Sequence, residues 1–243
     1  MIDRAGWSQL VRGERGVSVS FPDSGALTDA LSQAIAQALN HGIADRGEAW
    51  LVVSGGRTPV PMLESLRDEA VDFSKVTVLL ADERWVPLEH TDNNARLVRS
   101  HLLQGLAESA KLISYVDSHK SIDAQARRLE LQLGALPEFD AVVLGMGLDG
   151  HTASLFPETE VLEEGLDPDS DRSILVVQPI DAPHTRLTLT AARLLKTRNL
   201  FLHIEGQAKR EVFKVAAQQT VVGMPIGFFA QQTQIPMQVY WSP

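Results

Sequence analysis

Residues 49–66, AWLVVSGGRTPVPMLESL, have the pattern of a strand, a turn and a helix in direct succession. The first five residues are apolar without alternation, which is typical of a strand covered on both faces. The Ser-Gly-Gly sequence at 54–56 permits a tight turn, and we predict Thr58 as the N-cap and Pro59 as the first residue of a helix over 59–67. This order of elements predicts a βα unit of a parallel sheet.

The same alternation of short apolar runs and amphipathic stretches continues along the chain. Further strands are predicted at 17–21, 75–81, 111–116, 139–145, 173–177, 186–190, 200–204 and 237–241. Further helices are predicted at 25–40, 93–106, 120–134 and 207–218. The polar segment 157–172 is predicted to be an exposed excursion. We therefore expect one α/β domain over 1–243 with a mostly parallel sheet.

Length and composition limit the classes of function. The chain has 243 residues, of which 44% are hydrophobic and 22% charged, as in average globular proteins. No apolar run approaches the roughly 18 residues of a membrane span, and the N-terminal stretch lacks the apolar core of a signal peptide, so we expect a cytoplasmic protein without a membrane partner. The absence of cysteine excludes thiolate catalysis. A net charge of -9 with dispersed basic residues argues against a nucleic-acid partner.

The turn at 54–56 is the first of four strand ends with candidate functional residues. Gly55 and Gly56 precede a predicted helix, whose free N–H groups and positive dipole end attract anions, so we expect a phosphate or carboxylate there. The sequence is not a Walker A loop, and Val52 excludes a G-x-S-x-G nucleophile turn. A turn that merely requires glycines is the alternative.

Asp82, Glu83 and Arg84 follow the predicted strand 75–81 and form the second candidate group. In open α/β sheets, ligands bind outside the carboxyl ends of the strands, and this charged triplet lies at such an end. The alternative is that the charges only mark a strand that leaves the core.

GMGLDGHTASLFP at 145–157 has the glycine spacing G-x-G-x-x-G of dinucleotide-binding loops. No acidic residue follows the next strand, and Pro157 comes too early for a long helix to begin at the loop, so we reject the nucleotide interpretation. The loop instead presents His151, whose side chain is suited to proton transfer near neutral pH. Asp149 or Asp82 could orient the imidazole. A purely structural histidine is the alternative.

Lys209 lies in the first turn of the predicted helix 207–218, where a cation is unfavourable for the helix dipole, which makes it a candidate anion ligand. A solvated lysine is the alternative. Arg186 begins its predicted strand and so lies at the amino end, away from the carboxyl ends where ligands bind. We therefore rank it below Lys209 as an anion ligand.

The six histidines other than His151 show no metal-ligand spacing, and we predict no metal. The four strand ends together predict proton-assisted chemistry on a small phosphorylated substrate.

Four segments in order, SGGRTP at 54–59, DERWVP at 82–87 with Asn94 downstream, the block at 145–157 and EGQAKREV at 205–212, resemble the glucosamine-6-phosphate isomerase/6-phosphogluconolactonase family. The similarity to its lactonases extends from about residue 17 to 241. The resemblance implies a three-layer α/β/α, Rossmann-like fold with a small added region. It also implies hydrolysis of 6-phospho-D-glucono-1,5-lactone to 6-phosphogluconate in the oxidative pentose phosphate pathway, without a required cofactor.

The resemblance assigns His151 as the group that takes a proton from the attacking water and returns it to the ring oxygen. Asp82 or Asp149 would orient the imidazole, and Arg84 and Lys209 would hold the 6-phosphate. The amides of Gly55, Gly56 or Gly147 would complete the oxygen-binding groups. Our candidate substrate-binding residues are Gly55, Gly56, Thr58, Arg84, Asn94, Gly147, Arg186 and Lys209.

Phe156 separates the lactonases from the related deaminases, because the deaminase block continues as I-A-F-N-E-P and uses the glutamate that this phenylalanine replaces. Asn93 stands where lactonases often have serine, which leaves its role open. A sugar-phosphate isomerase or deaminase and a non-catalytic sugar-phosphate-binding protein are the alternative functions. We expect a monomer or a weak homo-oligomer with a small-molecule substrate.

Overall fold

A seven-stranded sheet forms the centre of the computed structural model, which describes residues 17–218 and 223–243. All neighbouring strands of this sheet run parallel, so their carboxyl ends meet at one edge. In sheet order the strands are β1 (Val17–Ser20), β10 (Met237–Ser242), β9 (Leu200–Glu205), β6 (Ala141–Leu144), β2 (Ala49–Val53), β3 (Val76–Leu80) and β5 (Lys111–Leu112).

Helices flank the sheet and connect its strands. They are α1 (Ser24–Arg46), α2 (Val60–Leu66), α3 (Asn94–His101), α4 (Ile122–Gly134), α5 (Leu162–Leu166), α6 (Ala191–Leu194), α7 (Gln207–Gln218) and α8 (Ile226–Gln231), with 3-10 turns at Phe73–Lys75 and Gly105–Ala107. The longest, α1, packs on β2, β6 and β10. Asp23 caps its N-terminus by accepting a hydrogen bond from the N–H of Ala26. None of the described helices is long and apolar enough to cross a bilayer.

A second, three-stranded sheet is antiparallel and lies next to the carboxyl edge of the first. It contains β4 (Asp82–Arg84), β8 (Arg186–Leu189) and β7 (Ile174–Val177) in that order. The register pairs Asp82 with Thr188 and Arg84 with Arg186. The start of β8 therefore lies beside the residues that follow β3, although the two segments are far apart in sequence.

The predicted fold class is confirmed, since a parallel central sheet with flanking helices is present. Several boundaries differ. The strand predicted at 111–116 is only two residues long, and the helix predicted at 93–106 ends at His101. The short helices α5, α6 and α8 have too few turns for their apolar spacing to be recognised. The domain predicted over 1–243 includes residues 1–16 and 219–222, which lie outside the described residues.

Candidate active site

A cavity of about 340 Å³ opens at the carboxyl edge of the parallel sheet, between that edge and the antiparallel sheet. Ten of the predicted site residues line it: Gly55, Gly56, Thr58, Asp82, Arg84, Asn94, Gly147, His151, Arg186 and Lys209. The eleventh, Asp149, does not line the cavity but contacts His151. The structure therefore brings together residues from both sheets at a single site.

The loop after β6 places His151 next to Asp149. Nδ1 of His151 is 2.6 Å from Oδ1 of Asp149, and Nε2 has no hydrogen-bond partner among the described residues. Burial raises the pKa of Asp149, but the hydrogen bond and charge of His151 outweigh it, so the pKa of this carboxyl lies below its usual range. With the carboxylate at Nδ1, the neutral imidazole has its lone pair at Nε2.

Gly147 has a spatial role in this loop. A Cβ at residue 147 would overlap the imidazole of His151 and the carboxylate of Asp149, so only glycine permits this close approach. The N–H of Gly147 donates to the carbonyl of His151 at 2.9 Å. The predicted donation from this N–H to a substrate oxygen is therefore not available in this arrangement.

Phe156 lies between two functional side chains. Its ring centroid is 4.3 Å from that of His151, and the guanidinium carbon of Arg186 is 5.1 Å from the same ring. Phe156, which replaces the glutamate of the deaminase block, thus presents a buried apolar surface to the imidazole. No carboxylate from this position reaches the site.

Asp82 belongs to a separate, buried cluster. Its Oδ2 accepts a hydrogen bond from Oγ of Ser154 at 2.5 Å and is 3.7 Å from Nη1 of Arg186. No hydrogen bond joins Asp82 to His151 among the described residues. Of the two aspartates proposed to orient the imidazole, Asp149 has the geometry for that role.

Arg186 lies closer to the site than its predicted strand position implied. Because β8 belongs to the antiparallel sheet, its first residue lies at the cavity and not at the far edge of the molecule. The prediction that Arg186 lies at the end of its strand away from the site is therefore wrong. Burial lowers the pKa of Arg186, and the carboxylate of Asp82 opposes this effect.

Asn94 is buried in the cavity wall. Its Nδ2 donates to the carbonyl of Asp82 at 2.8 Å, and its side chain lies where a Cβ of residue 55 would be. Gly55 is therefore required for the packing of Asn94 as well as for the turn. Asn93, whose role the sequence leaves open, caps α3 by accepting from the N–H of Arg96.

Glu83, which belongs to the charged triplet after β3 but has no role assigned from the sequence, is fully buried next to Asp82. Its carboxylate accepts hydrogen bonds from the backbone N–H groups of Arg84, Asn94 and Ala95, at 2.7–2.8 Å. Burial raises the pKa of Glu83 to about 7, although these three hydrogen bonds act in the opposite direction. Glu83 thus fixes the start of α3 and the backbone of Asn94.

The turn after β2 exposes donors to the cavity. The N–H groups of Gly55 and Gly56 have no hydrogen-bond partner in the described part of the chain. Ser54 joins this turn to the His151 loop, because its Oγ donates to Val143 and accepts from the N–H of Gly145. The helix begins at Val60, so Thr58 is not its N-cap as predicted, although Thr58 does line the cavity.

Four cationic side chains line the cavity: Arg57, Arg84, Arg186 and Lys209. Nη1 of Arg84 donates to the carbonyl of Asp92 at 2.7 Å, and Lys209 has no ion-pair partner within the described ranges 17–218 and 223–243. Burial lowers the pKa of Lys209, and the Glu205 carboxylate partly opposes this. Because Asp82 is the only acidic residue among the described residues that line it, the cavity suits an anionic ligand.

His203 also lines the cavity, but its position inside the apolar strand β9 gave no sequence signal for a site residue. Its Nε2 is 3.1 Å from Oε1 of Glu205, and this hydrogen bond lowers the pKa of Glu205. Oε2 of Glu205 accepts a hydrogen bond from Ser24 at 3.0 Å. These contacts fix the end of β9 just before Lys209.

Comparisons with known proteins point to one family. Residues 22–241 match the family model described as glucosamine-6-phosphate isomerases/6-phosphogluconolactonase. The chain is 42% identical over 222 residues to the 6-phosphogluconolactonase of Pseudomonas putida, covering 91% of this chain and 90% of that protein. The crystal structure of a 6-phosphogluconolactonase from Shewanella baltica has a TM-score of 0.90 and 38% identity, covering 95% of this chain and 99% of that one.

A more distant structure shares only the fold. A monomeric glucosamine-6-phosphate deaminase has a TM-score of 0.75 at 16% identity, covering 91% of this chain and 96% of that chain. The parallel sheet and its flanking helices are therefore common to proteins of both activities.

Proposed function

We infer that this chain, which belongs to the glucosamine-6-phosphate isomerase/6-phosphogluconolactonase family, hydrolyses 6-phospho-D-glucono-1,5-lactone to 6-phospho-D-gluconate. It is an ester hydrolase of carbohydrate metabolism, acting in the oxidative pentose phosphate pathway. The observation that best supports this function within the site is the His151–Asp149 pair at a cavity lined by four cations. Such a cavity combines a proton-transfer group with donors for a phosphorylated substrate.

We propose that Nε2 of His151 accepts a proton from the water that attacks the lactone carbonyl carbon. A C–O bond to the water oxygen forms, and the carbonyl electrons move to oxygen. When the ring C–O bond breaks, the imidazolium returns the proton to the departing ring oxygen, which leaves an acyclic product with a carboxyl group. Asp149 holds the ring through Nδ1 and stabilises the imidazolium.

The free N–H groups of Gly55 and Gly56 are proposed to bind substrate oxygens at the cavity. Arg84 and Lys209 are proposed to hold the 6-phosphate, because hydrogen bonds between a cation and a phosphate are stronger than neutral ones. Arg186 contributes a third positive charge that Asp82 and Ser154 keep in place. Thr58 and Asn94 complete the wall against which the sugar binds.

The proposed domain organisation, location and partners of the protein follow from its sequence. We propose a single domain over 1–243 that acts in the cytoplasm on a small-molecule substrate, without a required cofactor or metal. It has no nucleic-acid or membrane partner in this proposal, and it is a monomer or a weak homo-oligomer.

The experiment that tests the function compares two substrates. Purified protein is mixed with 6-phospho-D-glucono-1,5-lactone, and the loss of lactone is measured after subtraction of spontaneous hydrolysis. In parallel, ammonia release from glucosamine 6-phosphate is measured. We expect accelerated lactone loss and no ammonia, because Phe156 provides no carboxylate for the deaminase reaction. Ammonia release would support the deaminase alternative, and binding of 6-phosphogluconate without acceleration would support a non-catalytic binding protein.

A further inference from the structure

Two histidines and one aspartate converge beside the antiparallel sheet, outside the catalytic cavity. His90 and Asp92 lie in the loop between β4 and α3, and His184 lies in the turn between β7 and β8. One potential ligand atom from each residue lies within 4.8 Å of the other two. Nε2 of His184 is 3.0 Å, and Nδ1 of His90 is 3.9 Å, from the same oxygen of Asp92. None of the three residues lines the cavity that contains His151.

The backbone holds these two segments together before any ion binds. The N–H of Trp85 donates to the carbonyl of Thr185 at 2.8 Å, so the loop and the turn are joined next to the histidines. His184 has a φ of 71°, a left-handed conformation that is unfavourable for a residue with a Cβ. Such conformations persist where the surrounding structure fixes them, and they are frequent at functional sites.

The types of the three ligands indicate which ions would bind. Two imidazoles and one carboxylate suit Zn²⁺ and similar divalent transition metals, whereas Mg²⁺ and Ca²⁺ prefer oxygen ligands. All three side chains are partly exposed, so an ion has access, and water can supply a fourth ligand.

Only small movements separate this arrangement from metal coordination. Zinc–nitrogen and zinc–oxygen bonds are about 2.0–2.2 Å long, so the ligand atoms must approach one another by rotation of partly exposed side chains. Nδ1 of His90 accepts a hydrogen bond from the N–H of Asp92 at 3.1 Å. A metal replaces this donor, or the His90 ring turns over and presents Nε2.

We propose that His90, Asp92 and His184 form a binding site for one Zn²⁺-class ion that joins the β4–α3 loop to the β7–β8 turn. The site adjoins the substrate-binding machinery, because the carbonyl of Asp92 accepts the hydrogen bond from Arg84. A bound ion holds the loop that carries this carbonyl. The proposal does not rest on the proposed function, since the three ligands lie outside the cavity and ion binding is measured without substrate.

The test measures Zn²⁺ binding to chelator-treated protein by isothermal titration calorimetry. We expect one ion per chain, with no displacement by excess Mg²⁺. His90→Ala and His184→Asn are each expected to weaken the affinity at least about tenfold, since loss of even outer-shell partners costs about 10–100-fold. Asparagine is chosen at 184 because it tolerates the left-handed backbone better than alanine does.

His101→Ala is the matched control. His101 also pairs with a carboxylate, Glu64, at 2.8 Å, but no third metal ligand is grouped with this pair in the described part of the chain. This variant is expected to bind Zn²⁺ with unchanged affinity. The proposal is overturned if the wild type binds no Zn²⁺, or if the double variant His90→Ala/His184→Asn binds it as tightly as the wild type.

A thermal unfolding experiment gives a second readout. An ion that binds only the folded state raises the melting temperature in a concentration-dependent way. We expect this rise with Zn²⁺ for the wild type and for His101→Ala, and its loss in the double variant, with circular dichroism showing that the double variant is folded. An equal rise in the double variant would place the ion elsewhere and refute the site.

Discussion

Two pairs of ionisable side chains occupy the same end of the molecule, yet they differ in their contact with water. The His151 and Asp149 side chains are 29% and 49% exposed, whereas those of Arg186 and Asp82 are only 9% and 8% exposed. A partly exposed pair can exchange protons with water and substrate. A buried pair keeps its charges fixed, because leaving either partner alone in the interior costs free energy. We therefore propose His151 and Asp149 as the proton-transfer pair and Arg186 and Asp82 as a pair of fixed charges.

The difference also distinguishes the two aspartates, either of which the sequence allowed as the residue that orients the imidazole of His151. Asp149 lies two residues before His151, and the turn closed by Gly147 brings its carboxylate to Nδ1. Asp82 lies on β4, and its carboxylate faces Ser154 and Arg186. We therefore expect substitutions in the first pair to affect the chemical step and substitutions in the second to affect stability.

The largest expected effect is that of removing the proton-transfer group. His151→Ala should lower kcat for lactone hydrolysis about a thousandfold, because general acid–base catalysis typically contributes 10²- to 10⁴-fold. Binding of 6-phosphogluconate, measured by calorimetry, should remain within a few-fold of wild type, since the cations are untouched. A variant that retains near-normal kcat would remove His151 from the mechanism.

Glu83, a buried acid with no ion-pair partner in the described part of the chain, sharpens the comparison. The pKa of Glu83 is raised from 4.5 to about 7, so between these values the folded state holds a proton that the unfolded state releases. The stabilising contribution is complete below pH 4.5 and is lost as the pH rises through 7. The shift corresponds to roughly 3 kcal/mol.

Denaturant unfolding of wild type and Glu83→Gln between pH 4.5 and 8 tests this expectation. The free energy of unfolding of the wild type should fall relative to the variant by up to about 3 kcal/mol as the pH rises. A difference that stays constant, or that grows in favour of the wild type, would show that Glu83 is ionised throughout. The three backbone hydrogen bonds to the carboxylate would then outweigh the effect of burial on its pKa.

A smaller effect is expected from one phosphate-binding cation. Lys209→Met should raise KM for the phosphorylated lactone about 10- to 100-fold, because a hydrogen bond to a charged group contributes about 1.5–3 kcal/mol. KM for unphosphorylated glucono-1,5-lactone should change little. Lys214→Met is the matched control, since Lys214 lies on the same helix and pairs with Glu211. Equal increases of KM with both lactones would show that Lys209 does not bind the phosphate.

The sequence predicted most strands of the parallel sheet and two strands of the antiparallel sheet, β7 and β8, but neither β4 nor the antiparallel pairing. Continuous apolar runs such as 49–53 form the buried strands of the central sheet, so their pattern is easy to recognise. β4 is three charged residues long and pairs with a strand about a hundred residues later. No local pattern predicts such a pairing, and this is why Arg186 was placed at the wrong edge.

The sequence predicted which residues form the site but not which of their side chains contact one another. The glycine spacing and Pro157 identified the His151 loop, yet only the turn geometry distinguishes Asp149 from Asp82. His203 was not predicted as a site residue because it lies within the apolar run of β9. The cluster at His184 was not recognisable either, because 92 residues separate this histidine from Asp92.

Kinetics and unfolding of Asp149→Asn and Asp82→Asn, measured side by side, test the central claim most directly. We predict that Asp149→Asn lowers kcat about tenfold or more and changes the free energy of unfolding by less than about 1 kcal/mol, as is usual for an exposed pair. Asp82→Asn should lower the free energy of unfolding by about 3 kcal/mol, because it leaves the charge of Arg186 buried and unpaired. Normal kcat in Asp149→Asn, with a loss of kcat but not of stability in Asp82→Asn, would contradict the account.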